Sequence, residues 1–210
     1  MYSRRTLLAS AGGIACVAAG IVALPARAED IPQACAEFVS GLAERVIKIL
    51  RDKSVGKDDR VKALSQIFLE GFDVRAIGRF ALGRYWQNAS EADREDYLAA
   101  FRDYVVETYA ARFNSYGGET FVVTKDVPDG DEGAVVSSDV GKPDEEPAHV
   151  QWRVRRTENG YKIVDVIVEG VSLLVTQREE FAAVVQRHDG KVAALTALLR
   201  EKVAQYKAQS

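Results

Sequence analysis

The sequence has little of what hydrolytic and metal-dependent catalysis is built from. Its only histidines, His149 and His188, are far apart, and neither has a Cys, Asp or Glu at metal-ligand spacing. There is no glycine-rich phosphate loop, no CxxC, no HExxH and no GxSxG. No metal and no cofactor are expected. Cysteine is equally scarce: of the two, Cys16 lies in an N-terminal apolar run, and Cys35 is left without an internal disulfide partner. Stability must therefore come from packing even in an oxidising compartment, and Cys35 reads as a small apolar residue on the first helix. A surplus of positive charge is also missing. Without Arg4, Arg5 and Arg27, 25 basic residues face 31 acidic ones, a net charge of −6. That balance excludes nucleic acid as a partner, since phosphate binding needs the opposite surplus.

The one long apolar run is N-terminal. Arg4 and Arg5 precede a Gly/Ala-rich stretch from Leu7 to Leu24, and Ala26-Arg27-Ala28 places small residues where an export peptidase reads them. Residues 1–28 therefore read as a cleavable signal peptide, by the general secretion route or, from the paired arginines, the twin-arginine route. The alternative reading of the run is a membrane anchor. Residues 29–210 are enough for a single domain with its own core.

Apolar residues first recur at helical spacing. Phe38, Leu42, Val46, Ile49 and Leu50 mark one helix, and Val61, Leu64 and Phe68 a second after the SVGKDD break. A short third covers Val74 to Leu82. Ser90, with Asp93 three residues on, caps a long helix carrying Tyr97, Phe101, Tyr104, Val105, Tyr109 and Phe113, which should stop near Gly117-Gly118. The period then becomes two. TFVVTKDV, GAVVSSDV, HVQWRVRR and YKIVDVIV read as four strands, and Asn159-Gly160 predicts a type I′ hairpin between the last two. Helices from Leu173 to His188 and from Lys191 to Tyr206 close the chain. Such an order predicts an α+β domain, its helices packed on one face of a four-stranded antiparallel sheet. His188, at a helix end, can bond the last carbonyls.

The fourth strand is apolar on both faces. Regular alternation puts Lys162, Val164, Val166 and Val168 on one and Tyr161, Ile163, Asp165 and Ile167 on the other. Asp165, set among apolar neighbours, needs partners such as Arg153 or Arg155 across the hairpin. The same residue supports a second reading, a cone-shaped enzyme using Asp165 as general base on a cyclic apolar substrate. A third is a periplasmic interaction domain with a solid core.

Three stretches together resemble one family. FDVRAIGRFALGRYW at 72–86, SEADREDYLAAFRDYVVETYAARF from Ser90, and YKIVDVIVEGVSLLVTQREEFAAVVQRHDG at 161–190 are similar to the MlaC or toluene-tolerance family of periplasmic lipid-shuttle proteins, including its hopanoid-associated HpnM branch. The resemblance implies a non-enzymatic carrier in the periplasm, cone-like with an apolar cavity. It would take a phospholipid or a hopanoid and exchange it with an inner-membrane lipid transporter assembly and an outer-membrane complex. Gln177 departs from the pattern, standing where an aromatic is expected before the arginine.

Two acyl chains of roughly 15 methylenes, at about 0.8 kcal/mol each, would expose about 24 kcal/mol of apolar surface to water, so a shallow groove cannot carry them. The walls expected on this resemblance are the aliphatic residues Val164, Val166, Val168, Val171 and Leu174, the aromatic face of Phe101, Tyr104 and Tyr109 with Val105, and the caps Phe80, Tyr85, Trp86, Trp152 and Phe181. For the head group, Arg79, Arg84 and Arg153 are expected at the mouth, since a guanidinium meets phosphate bidentately. The competing role for Arg79 is pairing with Asp73 or another carboxylate. Glycine at 170 marks the exit from the last strand, and Ser172 the cap of the next helix.

Overall fold

In the computed structural model, which describes residues 30–113 and 118–209, Asp30 opens the first helix, its carboxylate accepting from Gln33 N. The expected signal peptide lies outside the described residues, as does Gly117. Helix α1 (Ile31–Arg51) is followed by α2 (Lys57–Gly71), α3 (Val74–Leu82), the single turn α4 (Tyr85–Asn88) and the long α5 (Glu91–Phe113). Side-chain oxygens also start later helices. Asp73 accepts from Ala76 N to start α3, and Ser90 Oγ accepts from Asp93 N at 3.1 Å to start α5. Among the described residues, no helix is long and apolar enough to cross a membrane.

Strands β1 (Thr120–Pro128), β2 (Gly133–Gly141), β3 (Ala148–Thr157) and β4 (Gly160–Val168) form an antiparallel meander, and the two-residue β5 (Val171–Ser172) adds a fifth strand beside β4. Helices α6 (Leu173–Arg187) and α7 (Val192–Gln209) complete the fold. Ser172 caps α6 through Val175 N, and His188 Nδ1 lies 2.9 Å from the Val184 carbonyl at its other end.

Two details differ from regular alternation. The β3–β4 turn is a hairpin but not of type I′, which needs positive φ at both central residues; only Gly160, at φ 100°, has it, so a glycine after the turn absorbs the reversal. In β4 the register jumps between the Arg153↔Asp165 and Val154↔Ile163 pairs, leaving Val164 as an extra residue. This bulge moves Ile163 onto the face of Val166 and Val168, opposite Val154, Trp152 and Val150.

Two apolar clusters result. In one, α3, α5, α6 and α7 close around Tyr97, Phe101 and Phe181, the last presenting its edge to the other two rings at 6.3 and 6.0 Å. Gly78 lets α3 approach α5 there: a Cβ on it would sit 2.8 Å from the Phe101 ring. In the other, Cys35 and Val39 of α1 pack on Ala134, Val136, Val154 and Ile163 of the sheet.

Candidate functional site

Helix α1 meets the sheet only through its first half. Cys35 and Val39 are 0% and 2% exposed, whereas Val46, Ile47 and Leu50, about two to three turns beyond Val39, are only half-buried. What they face is space. A cavity of about 430 Å³ lies between the second half of α1, helix α2 and the sheet face carrying Val150, Trp152, Ile163, Val166 and Val168. Among the described residues its wall is aliphatic and aromatic apart from Thr120 and a single charged member, Glu119. A second cavity, of about 330 Å³, lies between α3, α5, α6 and β4, bounded by Val74, Ile77, Phe101, Tyr104, Val105, Val164 and Leu174. It is more polar, with Thr108, Asp165, Thr176, Gln177, Glu180 and Tyr206 also in the wall. Five residues line both cavities: Phe68, Phe72, Tyr109, Val166 and Leu173.

Asp165, 3% exposed, is fully engaged. Its Oδ2 accepts from Ser172 Oγ at 2.8 Å, its Oδ1 accepts from Leu174 N at 3.2 Å, and Arg153 Nη1 stands 3.8 Å away. These bonds tie β4 to the start of α6 and give the carboxylate a structural role there. Tyr104, in the wall of the smaller cavity, has its phenol pKa raised, chiefly by burial and then by Tyr206 nearby, so it stays neutral and able to donate. Tyr97 is pushed up further, by burial alone, and its hydroxyl donates to the Gly78 carbonyl at 3.0 Å.

Of the expected wall residues, the structure places Trp152, Val166, Val168 and Tyr109 on the larger cavity, and Phe101, Tyr104, Val105, Val164 and Leu174 on the smaller, which Tyr109 and Val166 also line. The other five line neither. Phe181 is 4% exposed and locked between aromatic rings; Val171, on the edge strand, is 57% exposed. Tyr85 packs against the helical core beneath Arg84. Phe80 and Trp86 belong to a separate outer groove with Arg79 and Arg178.

The three arginines expected at the mouth line neither cavity, and each has a partner of its own. Arg79 lies over the Trp86 ring, and Arg84 stacks on Tyr85, donating to its hydroxyl at 3.0 Å. Arg153 pairs with Asp129 at 3.1 Å and with Asp165. Among the described residues, no Lys, Arg or His lines either cavity. Sequence reasoning missed the α1 and α2 wall, Val46, Ile47, Leu50, Ile67, Phe68 and Phe72. Helical spacing marked Val46, Leu50 and Phe68 as inward-facing but not Ile47, Ile67 or Phe72, and nothing in a spacing tells a wall from a core. Among the described residues there is no cluster of His, Cys, Asp and Glu able to hold a metal.

A sheet curved against helices that stop short of filling it defines a small α+β domain with an internal apolar hollow. The same fold is found in a solved structure of a phospholipid-binding protein from Ralstonia solanacearum in complex with a phospholipid, with a TM-score of 0.73 and 22% sequence identity over 82% of this chain and 98% of that one. The sequence profile of the family described as MlaC protein matches residues 40–201. The chain belongs to the MlaC family.

Proposed function

We propose that the protein is a lipid carrier, exported to the periplasm by its signal peptide, that shields the apolar part of a phospholipid in its hollow and passes it between inner- and outer-membrane complexes. The observation that carries this reading is the larger cavity, about 430 Å³ bounded, among the described residues, by apolar side chains, Thr120 and a single carboxylate. At about 0.8 kcal/mol per methylene, hiding one tail of roughly 15 methylenes is worth about 12 kcal/mol, enough to draw a tail out of water. Membership of the MlaC family and the fold shared with a phospholipid-binding protein support the same reading. The capped state of Asp165 favours binding over the general-base alternative.

The test is native mass spectrometry of protein purified gently from its host, followed by uptake from vesicles. A lipid adduct, identified by its mass, is the expected result, and that mass also separates a phospholipid from a hopanoid or other fused-ring cargo. Repeated preparations without adduct, together with no uptake from vesicles, would overturn the proposal.

A further inference from the structure

Of the five residues that line both cavities, three, Phe68, Phe72 and Tyr109, form an aromatic stack at the boundary, which Val166 and Leu173 complete. Phe68, on the last turn of α2, stacks on Phe72 at 4.3 Å and on Tyr109 of α5 at 5.1 Å, and all three residues line both spaces. The outer members are held by the backbone of their elements. Phe72 bridges to Ile163 of β4, whose carbonyl also accepts from Asp73 N at 3.0 Å, and Tyr109 stands on a long helix. Phe68 fills the gap between them.

The two spaces, about 430 and 330 Å³, are of comparable size, so neither is a mere annex of the other and each can take part of a lipid's apolar mass. Both walls carry polar residues beside Tyr109: Glu119 and Thr120 in the larger, and in the smaller Thr108, the residue before it, and Tyr206, with Asp165, Thr176, Gln177 and Glu180 on the α6 side. Helix α7 ends there too, where Lys207 pairs with Glu107 at 3.6 Å.

We infer that the Phe68 stack is a wedge that seats between the two tails of one lipid, one tail per cavity, with the joint between the tails at the Tyr109 end. The inference rests on the lipid-carrier reading and narrows its cargo to lipids with two separate chains. A flexible two-tailed molecule can straddle the rings, and both aromatic faces of the wedge offer it apolar contact. A rigid fused-ring skeleton cannot divide around them. Phe68 is then the residue that sets selectivity, by shape and without any charged contact.

The experiment loads delipidated full-length mature protein from vesicles containing equal amounts of dipalmitoylphosphatidylcholine and cholesterol, the latter as a fused-ring probe, and counts bound molecules by native mass spectrometry. Wild type is expected to take one two-tailed lipid and to prefer it by about tenfold or more. Phe68→Ala joins the cavities, and the preference should fall to within about threefold. Phe68→Leu, which keeps most of the side-chain volume but not the stack, should fall between and gives the reading if the alanine variant unfolds. Preference unchanged in a folded Phe68→Ala or Phe68→Leu protein, or wild type taking cholesterol as readily as the two-tailed lipid, would overturn the wedge. Wild type that takes up neither lipid would instead count against the carrier reading itself.

Discussion

Around Phe101, helices α3, α5, α6 and α7 close until Tyr97, Phe101, Leu195 and Leu199 are at most 1% exposed; between α1 and the sheet, Val46, Ile47, Leu50, Val166 and Val168 face open space, and none is fully buried. Both regions are built from ordinary core residues. The difference lies in reach. In the helical half, large rings interlock edge to face across closely crossing helices, as native packing density requires. In the sheet half, short aliphatic side chains project from walls too far apart for them to meet. Sealed and empty, an apolar space of about 430 Å³ would cost about 10 kcal/mol at about 24 cal/mol per Å³, more than a typical domain can forgo. A hollow of that size is sustainable when it is open or filled.

The sharpest test of the comparison sets one truncation in each half. Phe181→Ala removes a ring held among Tyr97, Phe101 and Tyr104 and is expected to lower unfolding free energy by about 3–5 kcal/mol, a fall in Tm of roughly 10 °C. Ile47→Ala, made on a wall that already borders space, should cost no more than about 1.5 kcal/mol by urea unfolding while weakening lipid retention. Equal losses from the two substitutions in lipid-free protein would mean that the sheet half is packed as solidly as the helical half.

The fold was legible in the sequence wherever local chemistry decides it. Ser90 and Ser172 announced α5 and α6 as caps, and α3 was read over its observed span although its cap, Asp73, was not. The short β5 and the bulge at Val164 were not legible, since a register shift depends on what the neighbouring strand presents. The candidate site was legible by half. The aromatic stripe on α5 was read as one surface, yet Phe101 and Tyr104 border the smaller cavity while Tyr97 is sealed in the core, a division set by where α3 and α6 cross it. A guanidinium in the sequence says that an anion or a ring will be found but not which one: Arg153 meets Asp129, and Arg79 and Arg84 meet the rings of Trp86 and Tyr85.

A smaller effect separates binding from catalysis at the border of the two halves. Asp165→Asn keeps the shape but weakens the acceptor for Leu174 N and removes the charge facing Arg153, at a cost of about 2 kcal/mol in denaturant unfolding. Lipid loading of the folded variant should match wild type. Loss of a chemical turnover, with stability intact, would instead revive the general-base reading of this residue.

The smallest effect expected lies at the far edge of the sheet half. His149, at the start of β3, bonds through Nδ1 to Asp139 Oδ1 of β2 at 2.7 Å, while its backbone N–H donates to the Glu169 carboxylate just before β5. The Asp139 hydrogen bond, then the charges of Asp139 and Glu169, raise its pKa above the ordinary 6.5. A raised folded-state pKa means that the protonated imidazole stabilises the native state below the unfolded value, and that this contribution disappears as pH rises through the folded one. Over roughly pH 6 to 8, wild type should therefore lose a small increment of Tm that His149→Gln does not lose, because glutamine has no proton to release. Paired thermal melts at the two ends of that range measure it. The imidazole is exposed and the pair well screened, so the increment should shrink further in high salt, whereas the Phe181→Ala deficit should not. If the pH slope is the same in both proteins, the link from β3 to the β5 turn does not depend on the charge of His149, and the edge of the hollow half is held by backbone alone.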